Sequence, residues 1–63
     1  MLMELTMLLG GPIFINSNHI IRMIDDPDRA DGTLLYLSGG ITQLVQESLR
    51  EVVGLVGINE HAV

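Results

Sequence analysis

Asp25, Asp26, Asp28 and Asp31, with Gly32 directly after them, form the densest set of potential ligands in this chain. Carboxylates alternating ahead of a glycine are how an EF-hand calcium loop surrounds a hard cation with oxygen. The spacing here departs from that arrangement. Counted from Asp26, the fifth position is Ala30, the sixth is Asp31 and the twelfth is Leu37, where such a loop needs a ligand, a glycine and a glutamate. A charge run broken by Pro27 and closed by Gly32 reads more simply as a solvated loop over residues 25–32. Arg29 then compensates charge locally, to small effect where it is exposed. A small cation- or ligand-binding domain using the Asp25 to Asp31 stretch stands as the alternative reading.

Histidine can act as acid, base or ligand, but His19 and His61 lie far apart in the chain and neither has a companion at metal-binding or catalytic spacing. A corner histidine and a tail histidine need no such role. Ser17, Ser38 and Ser48 fall in a corner, a turn and a helix cap, each explained by bonding to nearby backbone. The pairs Gly10-Gly11 and Gly39-Gly40 lack the spacing of a phosphate-cradling loop, and the chain contains no lysine to serve one. The expectation is a protein that is not an enzyme, with no catalytic residues, no cofactor and no metal.

Composition bounds the partners. The 63 residues make a single domain, 1–63, with an ordered core over 3–57 and a tail over 58–63. A chain this short buries only about 60% of its unfolded surface and is marginal alone. It has no cysteine for a disulfide or thiolate site, which fits a reducing, cytoplasmic setting. Its apolar share is 48%, with one Phe, one Tyr and no Trp, so the core must come from Leu, Ile, Val and Met. A homo-oligomer is the economical way to cover the surplus. Three basic residues against eight acidic ones give a net charge of −5, which disfavours nucleic acid and anionic lipid as partners. Residues 1–9 lack a basic start, Glu4 and Thr6 interrupt them, and no uncharged apolar run reaches the roughly 18 residues of a membrane span. A strand is the better reading there.

Two similar stretches organise the chain, Leu8-Leu9-Gly10-Gly11-Pro12-Ile13 and Leu37-Ser38-Gly39-Gly40-Ile41-Thr42. Glycine reaches positive φ without a Cβ clash, so each pair suits a hairpin turn between β-prone runs. The expected strands cover residues 4–9, 13–16, 20–24, 33–37 and 41–45, with Pro12 leading the second strand and a short helical turn over 17–21. In the first strand, Leu5, Met7 and Leu9 share one face. Apolar periodicity then changes from two to 3.6. Ser48 and Glu51 form a capping box, Leu49, Val52, Val53 and Val56 make one helical stripe, and Gly57 ends the helix. Gly54 inside that helix reads as a weak spot. The fold class is α+β: a small antiparallel β-meander of about five strands with two Gly-Gly hairpins and one C-terminal helix. The first and last strands are placed to approach each other in a barrel-like sheet.

From Leu5 onward the chain resembles the flagellar FlbD family, also known as the swarming motility protein SwrD family. The shared pattern runs through Leu5-Thr6-Met7-Leu8-Leu9-Gly10, Phe14-Ile15-Asn16, Ile20 to Asp25, Pro27-Asp28, Leu37-Ser38-Gly39-Gly40, and Val45-Gln46-Glu47-Ser48-Leu49-Arg50-Glu51-Val52. It covers roughly residues 3–57 in one order. Leu9 stands where the family has a turn Asn, the stretch between Pro27-Asp28 and Leu34 is longer, and the family's basic residues are missing. The resemblance implies a cytoplasmic, non-enzymatic accessory that supports flagellar motor output or swarming through protein–protein contacts, with flagellar motor or basal-body proteins as partners. It carries no catalytic residues to transfer. Leu34, Leu35, Tyr36 and Leu37, apolar on both faces of their strand, and the helix stripe Leu49, Val52, Val53 and Val56 are the expected interaction residues. A structural subunit of a larger assembly fits the acidic, association-prone composition equally well.

Overall fold

The computed structural model describes residues 1–57. The expected tail and His61 lie outside the described residues. Five strands occur in chain order: β1 (Leu2–Thr6), β2 (Pro12–Asn16), β3 (Ile20–Asp25), β4 (Thr33–Leu37) and β5 (Ile41–Val45). A 3-10 turn, Ser17–His19, separates β2 from β3, and helix α1 (Leu49–Val56) closes the described chain. The α+β meander is thus observed, but in two antiparallel sheets, β1-β2 and β3-β4-β5. The 3-10 corner divides them. There the Asn16 side chain accepts from the Asn18 N–H at 3.0 Å, so β3 leaves the corner without pairing to β2.

The second hairpin follows its local signals. Leu37 pairs with Ile41 across Ser38-Gly39-Gly40, and both glycines take positive φ, 84° and 76°. The first hairpin is a correction. Thr6 pairs with Pro12, so the strand expected to run to residue 9 ends at Thr6 and the turn takes up Met7 to Gly11. Two hydrogen bonds close that wider turn, from the Met7 N–H to the Gly11 carbonyl and from the Gly10 N–H to the Met7 carbonyl, both 2.9 Å. Leu9, expected on the face of Leu5, is instead 99% exposed at the tip. Met7 turns away to bridge Val45, and the Gln46 N–H bonds the Thr6 carbonyl at 2.8 Å. The first and last strands therefore do meet, at one end only.

Alternation decides the core. Met3, Leu5, Ile15, Leu35, Val45 and Val52 are buried, with Ile13, Ile20, Met23, Leu37 and Val56 packed around them. Helix α1 starts on the expected capping box: the Glu51 N–H donates to the Ser48 hydroxyl at 3.1 Å and the Ser48 N–H donates to the Glu51 carboxylate at 2.9 Å. It stops at Gly57, which takes the left-handed conformation at φ 73°. Gly54 faces open space, and a methyl there would meet nothing within 4 Å. Gly54→Ala is expected to stabilise the fold by about 1 kcal/mol through helix propensity alone, read as a rise in urea midpoint.

Candidate functional site

The fold disperses the residues with chemical potential. Asp26 turns inward and is 5% exposed, its Oδ1 accepting from the Asp28 N–H at 2.8 Å. Its other oxygen is buried without a partner, beside Gly32, where an added Cβ would sit 3.3 Å from it and 3.0 Å from the Val45 carbonyl. Asp25, Asp28 and Asp31 are exposed. Among the described residues no three carboxylate or imidazole groups converge to hold a metal ion. His19 and Ser38 do come together, Nδ1 to Oγ at 3.3 Å. Yet the Ser38 hydroxyl donates to the His19 backbone carbonyl at 3.2 Å, and both residues are exposed. That arrangement ties the start of β3 to the β4-β5 turn; it neither orients a base nor excludes water, both of which acyl transfer requires.

A polar joint, in contrast, is assembled from several elements. The Glu47 carboxylate accepts from both the Thr6 N–H and the Thr6 hydroxyl at 2.9 Å. Its own carbonyl accepts from the buried Thr33 hydroxyl at 2.7 Å. Gln46 Nε2 donates to the carbonyls of Met7 and Leu8 at 3.0 and 3.2 Å. One dipeptide between β5 and α1 thus fastens the end of β1, the first turn and the start of β4. Partial burial acts to raise the Glu47 pKa, but the hydrogen bonds from Thr6 and from the Glu47 backbone outweigh it and hold the carboxyl below its ordinary value. Since the folded value is the lower one, this stabilisation is full above the unfolded value of about 4.3 and is lost as pH falls through the folded value. The wild-type melting temperature is expected to fall more steeply on acidification below about pH 4.3 than that of Glu47→Gln, which keeps both contacts without the charge.

The expected interaction residues divide between inside and outside. Leu35 and Val52 are 0% exposed and belong to the chain's own core, so they offer nothing to a partner. Leu37 and Val56 pack against that core, while Leu49 and Val53 are half-buried on α1. Leu34 and Tyr36 point the other way, onto the outer face of the three-stranded sheet. Direct cross-strand partners make two rows there: Ile24, Leu34 and Leu44, and beside it Arg22, Tyr36 and Thr42. The Arg22 guanidinium lies 4.1 Å over the Tyr36 ring. Leu44 and Thr42 also line an open groove with Met7, Leu8, Leu9 and Gly10, which carries the apolar surface around the edge of β5. A second groove joins Ile21 and Ile41 to Arg22 and Tyr36, and those two isoleucines are 71% and 58% exposed. Ile24 and Leu44 are not among the contacts expected from sequence. Their signal is present in the alternation of β3 and β5, but it needs the register with β4 to become a row.

Among the described residues no helix is long and apolar enough to cross a membrane. No family model, no curated protein and no solved structure matches this chain.

Proposed function

We propose that this chain is a non-enzymatic accessory protein acting through protein–protein contacts in the cytoplasm. On its resemblance to the flagellar FlbD and SwrD proteins, its role is to support flagellar motor output or swarming, in contact with motor or basal-body proteins. The observation that carries the interaction reading is the outer sheet face. A continuous row of Ile24, Leu34 and Leu44, extended by Leu8 and Leu9, leaves apolar side chains on the surface of a domain that already buries a core of its own. Part-exposed apolar side chains gathered in one row, with fully exposed Leu9 beside them, favour contact with another protein. The grooves beside it are open to solvent, and the acidic balance disfavours nucleic acid as a partner. Deleting the gene is expected to reduce swarming while flagellar number stays unchanged. Wild-type swarming in the deletion strain removes the motility reading.

A further inference from the structure

We infer that the outer face of β3-β4-β5 pairs with the same face of a second copy, related by a twofold axis along the Ile24-Leu34-Leu44 row. The inference rests on the interaction reading above and names its partner.

The pattern on the face is self-complementary. The apolar row crosses all three strands one rung in from the Asp25 end of the sheet, since Ile24, Leu34 and Leu44 are direct cross-strand neighbours. On one side of it, one pleat repeat of about 7 Å away, stands the only arginine of the face, Arg22, its guanidinium over the Tyr36 ring. This arginine forms no ion pair among the described residues. On the other side β3 ends at Asp25, and the loop to β4 adds exposed Asp28 and Asp31 against a single Arg29. One end of the face is therefore basic and the other acidic. A twofold rotation about the apolar row keeps apolar against apolar and reverses the strand direction. It carries each Arg22 to the acidic end of the other copy, twice per dimer, as an isologous contact requires. Sheets stacked face to face with strands nearly aligned are a common packing arrangement.

Magnitude sets the expected affinity. Three strands about 4.8 Å apart and some five residues long outline roughly 250 Å², well under the 800 Å² that each partner gives to a standard interface. Side chains and the flanking Leu8, Leu9, Ile21 and Ile41 enlarge it, and the expected association is weak. Electrostatic matching then fixes orientation more than strength.

The charge pattern permits a test that separates this dimer from any other. Arg22→Glu alone brings like charges together at both ends, as does the double substitution Asp28→Arg with Asp31→Arg. Each variant is expected to dimerise about tenfold more weakly than wild type in sedimentation velocity. Mixed one to one, the two are expected to recover wild-type association as a heterodimer. The carboxylate introduced at position 22 of one variant then meets the guanidinium groups introduced at positions 28 and 31 of the other, while the remaining end keeps its native pairing. Leu34→Asn, at the centre of the row, is expected to abolish the dimer with little change in melting temperature, which confirms that the protein is still folded. Wild type that stays monomeric to millimolar concentration, or a mixture that associates no better than its separate components, overturns the proposal. Either result leaves the swarming experiment to judge the motility reading independently.

Discussion

Leu35→Ala is expected to leave most of the protein unfolded at 25 °C. Leu35 is 0% exposed at the centre of β4, paired in register with Met23 on one side and Gln43 on the other. Removing a buried leucine side chain costs about 2 to 5 kcal/mol, the transfer of the lost methyl groups plus the cavity left behind. A core in a domain below about 70 residues rarely supplies more than 3 to 5 kcal/mol. The loss is thus comparable to the total. Leu34→Ala, one position away and facing outward, is expected to cost less than about 1 kcal/mol in the monomer. The contrast is the sharpest consequence of a period-two strand, since neighbouring leucines of identical chemistry differ only in the face they occupy. Urea denaturation followed by circular dichroism, at protein concentrations low enough to exclude association, measures both. Equal effects at Leu34 and Leu35 would mean that the assignment of inner and outer faces is wrong.

That same strand shows where reading the sequence reaches its limit. The bounds of β4 and β5, the 3.6-residue stripe of α1, its Ser48-Glu51 box and the Gly57 stop all follow from signals within a few residues, and all stand where local chemistry puts them. Which face of β4 is buried does not follow, because Leu34, Leu35, Tyr36 and Leu37 are apolar on both faces and only the covering elements choose between them. Leu35 and Val52 consequently read as candidate contacts when they are core. The first hairpin misleads for a different reason. Gly10-Gly11 suggests a two-residue turn, but the chain prefers the pairing of Thr6 with Pro12 that buries Leu5 opposite Ile13, and so Leu8 and Leu9 are pushed out to the tip. The Asp loop likewise reads as a possible ligand cluster only while its side chains have no directions; the fold turns Asp26 inward and leaves the others outside. Least legible of all is the joint at Glu47. Its partner Thr6 is 41 residues distant in the chain, and nothing local to either residue announces the contact.

Glu47→Ala is expected to destabilise the fold by about 2 to 3 kcal/mol, well beyond what a half-buried surface carboxylate ordinarily contributes. Hydrogen bonds to a charged acceptor are the stronger kind, and here two of them converge on one residue, Thr6. Losing them leaves the Thr6 N–H without its partner at the place where β1 meets β5, and loosens the chain on which Thr33 depends through the Glu47 carbonyl. Thr6→Ala removes the hydroxyl contact and keeps the backbone one, so it is expected to cost about 1 kcal/mol. The double variant is then expected to cost less than the sum, because both substitutions break the same contact. Additive effects in that cycle would show that the two residues stabilise the fold separately. The result also bears on how motility phenotypes are to be interpreted. Thr6 and Glu47 meet at one structural joint, and the Ser48-Glu51 cap of α1 follows directly after it in the chain. Loss of swarming in Glu47→Ala is therefore expected to track loss of folded protein, whereas loss of swarming in Leu34→Asn is expected with folded protein still present. Measuring abundance and melting temperature beside swarming in both strains distinguishes a fold that has come apart from a surface that no longer finds its partner.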